Sequence, residues 1–369
     1  MDSKEQKDKL RQAVLEYMDP SFRFHLTLHV PALRSIEKEA RLHINQLVFE
    51  DTQFFINNKT KYELKIDRKY AIEEHPFRIS KIIGHDENAF GFPANANCIV
   101  MNGDVCMEKD NTRSTRSYQR LMETVKGEEP PVCESTLKLT YITGYGEITI
   151  YASSRITTIY EGMKVLIGAL FGGRKMIWSV NSMGMRTKNL RWFESGEKPF
   201  VRNVKFGHYE SVNVDGLTLI CHPTSFPLKI LNVEMDNRIL DKEILVNAEY
   251  LIVRSEMVGQ DMNYLDLLMI SNQKIRIKGI SLDTVAGLIE CWLEHGRPVG
   301  TCWLFEIPQV AGEKLSRYIK NLRMNAQVIE SDRRSIKLSM GRSSILSVVH
   351  GDSTLHDNEI WIVIMELQR

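Results

Sequence analysis

The sequence predicts a mixed α/β chain: a short N-terminal helical group, then a leucine-rich-repeat-like array of strands with helices covering one face. Three observations carry this. Between Leu10 and Ala40, apolar residues recur at helical spacing around the breaks Asp19-Pro20 and Pro31. From Leu42 onward they alternate with polar ones, as in a strand with one wet face. The stretch QKIRIKGISLDTVAGLIECWLEHGRPVGTCWLFEI then reads as strand, capped helix, strand.

In the first segment, Leu10, Val14, Tyr17 and Met18 fall on one helical face. Asp19 can cap a second helix with Pro20 at its first position, and Pro31 repeats the punctuation. Leu33, Ile36 and Ala40 continue the stripe, so residues 1–41 form a helical group whose apolar faces must meet something. LHINQLVFE and QFFINNKTKYELKI then read as a pair of β-strands turning at Asn57-Asn58. The rest of 42–131 is rich in charge, Asn and Gly, and EKDNTRSTRSYQRLMETVKGEEPP reads as an insertion or connection.

Order returns in 132–369. STLKLTYITG and YGEITIYAS make a hairpin around Gly144 to Gly146. Thr158 and Glu161 form a T-x-x-E capping box ahead of Met163, Leu166, Ile167 and Leu170, and Gly172-Gly173 stop that helix. In the strand-helix-strand unit, Ser281 caps a helix carrying Leu282, Val285, Leu288, Ile289 and Trp292, and Gly296 and Pro298 end it. A parallel return of this kind is right-handed, with its helix over one sheet face. GLTLICHPTSFPLKILNVEM and EYLIVRS repeat the alternation more weakly, and the tail reads as closing strands. No consensus repeat with fixed asparagines is visible, so the repeat-like array rests on alternation alone.

Composition narrows the function classes. The chain has 369 residues, 43% hydrophobic, enough for a sizeable core. Its formal net charge of +1 gives no long-range field to gather nucleic acid or an anionic membrane. The first residues are charged where a secretory signal needs an apolar core, and no run approaches a bilayer span. The chain is therefore expected inside the cell, in cytoplasm, nucleus or both. Six cysteines are scattered without C-x-x-C, and Cys291 and Cys302 lie in apolar company, so buried reduced thiols are expected. Asn58-Lys59-Thr60 is a glycosylation sequon in form and turn residues in context.

Catalytic signatures are missing: there is no nucleophile elbow, Walker loop, dinucleotide fingerprint or H-E-x-x-H. HGDSTLHD, beginning at His350, holds acid–base ingredients, but Gly, Asp and Ser are what a turn selects. An enzyme would need His350, Asp352, Ser353 or His356 to converge in a pocket. The glycines of FGGRK lie at a helix C-terminus, whereas phosphates sit at N-termini. RTKNLRW and KPFVRNVK interleave basic and aromatic residues, and alternation explains them as strand. His25 and His29 read as exposed helix residues, and no metal, cofactor or nucleic-acid partner is expected.

The segments VLEYMDPSFRF, PALRSIEK, LHINQLVF, LFGGRKMIWSVN, TSFPLKILNV, Ile280 to Trp303 and IWIVIMEL, in that order, resemble the nematode F-box C family, whose members share a domain of unknown function. The similarity covers nearly the whole chain. It implies an intracellular adaptor of a Skp/cullin/F-box ubiquitin ligase, whose N-terminal helices grip a Skp-type linker protein while the α/β domain holds a client. A standard F-box opens on a Leu-Pro pair, which this sequence lacks, so the segment is a degenerate version. Such docking needs an exposed apolar helix surface with a polar rim, which Leu10, Val14, Tyr17, Met18, Phe22 and Leu26 could supply. Burial of those six against the first strands is the other use open to them. That version would be a scaffold or binding protein with a decayed F-box.

Overall fold

The computed structural model describes residues 3–70, 101–108, 120, 122–129, 133–153, 155, 158–207, 212–234, 239–254, 264–308, 312–323, 328–332, 334–340, 344–352 and 360–369. It is a mixed α/β protein whose chain divides into two compact units, Met1–Ser225 and Phe226–Arg369. The second N-terminal helix meets the early strands where Tyr62 donates to the Ser21 carbonyl, and the strands flanking the poorly patterned region, Thr60–Tyr70 and Cys133–Thr143, are partners in one sheet. Most of the proposed insertion lies outside the described residues.

The first unit opens with helices α1 (Ser3–Tyr17) and α2 (Pro20–His29), a 3-10 turn at Pro31–Leu33 and α3 (Arg34–Glu39). Asp19 accepts from the Ser21 N–H at 2.9 Å, and Pro20 occupies the first turn, as the sequence predicts. The expected strand pair is three strands, β1 (His43–Glu50), β2 (Gln53–Ile56) and β3 (Thr60–Tyr70), because Asp51-Thr52 makes an additional turn. Asn57 and Asn58, in the three-residue loop between paired Ile56 and Thr60, both take φ of 54°, left-handed backbone that Asn accepts more readily than most residues.

After the short β4 (Val105–Cys106), β5 (Cys133–Thr143) and β6 (Gly146–Ser153) form the hairpin around Gly144 and Tyr145. Helix α4 (Ile159–Phe171) begins after Thr158, but the capping box is not closed through that side chain, whose hydroxyl is buried without a partner. Gly173, at φ of 67°, supplies the left-handed stop. β7 (Ser179–Arg186), β8 (Asn189–Leu190) and β9 (Phe200–Phe206) follow, with β8 pairing β4. The sheet of this unit runs β9-β7-β1-β2-β3-β5-β6; β7 flanks β1 in parallel and β2 flanks it antiparallel. Its core is aromatic, with Phe24, Phe49, Phe54 and Trp178 around Phe171 at centroid distances of 5.3 to 6.1 Å. The short helix α5 (Leu217–Ile220) and a 3-10 turn at Pro223–Ser225 close the unit.

The second unit orders its strands β14-β15-β16-β17-β13-β12-β11-β10. These are β10 (Ile230–Glu234), β11 (Leu251–Arg254), β12 (Lys274–Lys278), β13 (Cys302–Pro308), β14 (Val328–Ser331), β15 (Ser335–Met340), β16 (Ser344–Asp352) and β17 (Ile360–Gln368). The first four are mutually parallel and the rest antiparallel. One register row, Leu231, Leu251, Ile275, Trp303, Met365, Val348 and Ile336, is buried throughout. Period-two alternation therefore turns its neighbours, Asn232, Ile252, Arg276, Leu304 and Ile364, to the opposite face, where all are half-buried.

Helices α6 (Glu243–Val246) and α7 (Tyr264–Leu268) precede β11 and β12, α8 (Leu282–His295) joins β12 to β13, and α9 (Gly312–Arg323) follows β13. Helix α8 buries Leu282, Val285, Leu288, Ile289 and Trp292, the stripe read from sequence, and Trp292 meets Trp303 edge-on at 5.2 Å. Ser281 accepts from the Thr284 N–H at 3.2 Å, and Gly296 ends the helix at φ of 75°. The cysteine expectation needs correction: Cys291 and Cys302 are half-buried and Cys106 is exposed, while Cys221 is fully buried, with burial pushing its pKa up to about 12.

Candidate functional site

The N-terminal helices owe their orientation to polar anchors. Gln12 donates to the carbonyl of Glu39 at 2.9 Å, Glu16 accepts from the Arg41 N–H at 3.1 Å, and Leu15 is 3% exposed. The face of α1 bearing residues 12, 15 and 16 thus points inward. Leu10, Val14 and Tyr17, spaced i, i+4, i+7, point outward at 68%, 57% and 93% exposure.

Helix α2 inverts the usual pattern. Arg23 is buried beside Phe24, while Phe22 is 56% exposed. Tyr62 donates to the Ser21 carbonyl at 3.1 Å, and Phe24 meets Phe171 edge-on at 5.3 Å, which fixes the helix face. Of the six residues singled out from sequence, Leu10, Val14, Tyr17 and Phe22 are exposed, and Met18 and Leu26 are half-buried. His25 differs from expectation: it is half-buried beside Tyr141, centroid distance 4.7 Å, and burial together with His29 lowers its pKa.

Beneath this surface lies a charged cluster. Glu37 Oε1 meets Arg23 Nε at 2.8 Å and Arg174 Nη2 at 2.6 Å, all three side chains being nearly solvent-free. The remaining Arg23 donors bind the carbonyls of Leu15, Glu37, Ala40 and Arg41. Burial pulls the pKa of both guanidinium groups below its ordinary value and Glu37 opposes it. Lys38 is the next residue along α3. Its amine is pulled down to about 7, first by burial and then by Arg174, with Glu37 opposing. Sequence reasoning missed this cluster. Its one local signal is FRF, an arginine on a helix face that must pack.

Elsewhere, Asp104 is clamped between Lys164 Nζ at 2.9 Å and Arg191, tying residues 101–108 to α4 and β8. Trp192 and Phe193 are core residues, unable to stack on bases. In the second unit a cleft of about 940 Å³ is lined by Leu265, Leu268, Cys291, His295 and Arg297, with Cys291 Sγ 3.6 Å from His295 Nδ1. His350 is buried in β16, whereas Ser353 and His356 lie outside the described residues. Among the described residues no group of three or more His, Cys, Asp or Glu could hold a metal ion, and no helix is long and apolar enough to cross a membrane. On the sheet face opposite the buried row, Arg276 Nε binds Glu306 Oε1 at 2.5 Å and Lys278 lies 3.5 Å from the same carboxylate.

A family model described as a domain of unknown function (DUF3557) matches residues 158–309, less than half of the chain, from the start of α4 to the end of β13. No curated protein and no solved structure matches the chain.

Proposed function

We propose that the protein is a non-catalytic interaction module whose N-terminal helices dock a second protein while the α/β remainder holds a client. The observation that carries this is the outward apolar stripe Leu10, Val14, Tyr17 and Phe22 over a helix pair anchored by buried charge. An isolated apolar residue at a surface means little, but exposed apolar residues recurring on two consecutive helices are of the kind that partners cover. The resemblance to the nematode F-box C family supplies the partner class, a Skp-type linker of a cullin ubiquitin ligase. The parallel run β10 to β13 with α8 on one face supports the leucine-rich-repeat-like reading. We place the client on the opposite face, around Ile252, Arg276 and Leu304.

The test is co-purification of the full chain with a Skp-type linker, comparing wild type with a Val14→Glu/Tyr17→Glu double variant. Capture that the variant abolishes supports the adaptor. Failure of the well-folded wild type to capture the linker removes that partner and leaves the scaffold with a decayed F-box.

A further inference from the structure

The cleft in the second unit puts a nucleophile beside a base. Cys291 and His295 lie one turn apart on α8, and Cys291 Sγ is 3.6 Å from His295 Nδ1, within hydrogen-bond reach for sulfur. Both line the cavity of about 940 Å³, so the half-buried thiol borders a proton acceptor and room for a small molecule. Three other described thiols lack this combination. Cys106 is more exposed, but its Sγ donates to the Glu108 carbonyl at 2.7 Å, which keeps the proton on sulfur. Cys221 is fully buried, and burial pushes the pKa of both Cys221 and Cys302 up, which favours their unreactive thiol forms.

The wall selects what enters. Leu265, Leu268 and Pro298 make part of it apolar. Glu290 and Glu294 set two carboxylates against the guanidinium of Arg297, which the carbonyls of Ile270 and Leu268 hold at 3.0 and 2.8 Å. An anion is disfavoured there. Trp292 belongs to the same wall, and its buried Nε1 has no acceptor among the described residues. The ligand that fits is an uncharged molecule with an apolar body and a carbonyl oxygen. Sulfur is a soft nucleophile, and among carbonyl compounds it favours the conjugated ones, which it attacks at the carbon remote from oxygen.

We propose that Cys291 is a covalent capture site for uncharged α,β-unsaturated carbonyl compounds, with His295 as its base. Sulfur forms a bond to the β carbon while Nδ1 of His295, in the tautomer protonated on Nε2, takes the thiol proton. The C=C π pair shifts toward the carbonyl as an enolate, and the imidazolium returns the proton to the α carbon. The product is a neutral thioether; nothing leaves and no further reactant is needed. Capture is stoichiometric and uses none of the residues assigned to a partner or a client.

The experiment treats the full-length folded chain with limiting trans-2-nonenal, fixes adducts with borohydride and measures the rate at each cysteine by peptide mass spectrometry. Exposed Cys106 is the internal control. The expected result is at least about tenfold faster addition at Cys291 than at Cys106, the low end of what a positioned base supplies. That preference is expected to vanish in urea. His295→Ala should bring Cys291 down to the rate of Cys106, and free imidazole should restore Cys291 selectively, which a merely structural role of His295 would not produce. Addition at Cys106 as fast as at Cys291 in the folded wild type overturns the proposal whether or not the variant folds. An unchanged Cys291 rate in a folded His295→Ala chain overturns the role of the base. The same preference toward the dianion fumarate overturns the selection for uncharged ligands.

Discussion

Arg174 donates from Nη2 to Oε1 of Glu37 at 2.6 Å, joining the segment after α4 to the N-terminal helices through a pair almost closed to solvent. Such a pair contributes little net stability compared with an apolar replacement, but removing one member strands a buried charge. Glu37→Gln leaves Arg23 and Arg174 without their counter-ion and is expected to cost about 3–5 kcal/mol in urea unfolding. Arg174→Met should cost less, because Arg23 retains Glu37 at 2.8 Å. The reverse order would mean that Arg174 packing on Phe24 and Trp178, and not charge, holds the junction.

The Lys38 amine sets a pH dependence of stability. In the unfolded chain it titrates near 10.5 and in the folded chain at about 7. Between these values the unfolded state binds the extra proton, so stability rises with pH across the window; below about 7 both states are protonated and this contribution levels off. Urea midpoints measured from neutral pH upward should climb for wild type and stay flat for Lys38→Met, with the variant more stable at the neutral end. Tyr62, whose pKa burial raises, opposes the climb above its unfolded value of 10.0.

Opposite faces of α1 should respond differently to truncation. Leu15→Ala opens a cavity in a side chain only 3% exposed and is expected to cost about 2–5 kcal/mol. Tyr17→Ala should leave the unfolding free energy unchanged to within about 0.5 kcal/mol. A large destabilisation by Tyr17→Ala would show that the stripe serves the fold.

Helix α8 offers a test at both its ends. Ser281→Ala removes the acceptor for the Thr284 N–H and should cost about 1 kcal/mol. Gly296 has φ of 75° and ψ of 175° with open space around it, so Gly296→Ala is disfavoured by backbone strain alone, by about 1–3 kcal/mol. The ends of a 14-residue helix share no partner, and the double variant should show the sum to within about 0.5 kcal/mol in denaturant.

Elements whose instructions are local were legible in the sequence. Helix α8 carries its cap, its apolar stripe and its stop within sixteen consecutive residues, Ser281 to Gly296, and the structure reproduces each. The Asn57-Asn58 turn is similar, because only a few residue types accept left-handed backbone. What escaped was long-range. Nothing near Glu37 indicates that an arginine 137 positions later will share its oxygen. Thr158 matched a capping pattern without capping, since sequence spacing does not fix where a hydroxyl points. The outward stripe of α1 was identifiable as a stripe, but its exposure depends on Gln12 and Glu16 reaching Glu39 and Arg41.

Strand β1 has an awkward birth. Its antiparallel neighbour β2 follows within a few residues, whereas its parallel neighbour pairs His43 with Ser179, 136 residues downstream. At ordinary ribosomal speeds that interval lasts roughly ten seconds. Throughout it the β1-β2-β3 meander can be complete while one edge of β1 exposes its backbone donors and acceptors to other nascent chains. Slowing translation before Arg186 should therefore raise aggregation during synthesis without changing the finished molecule.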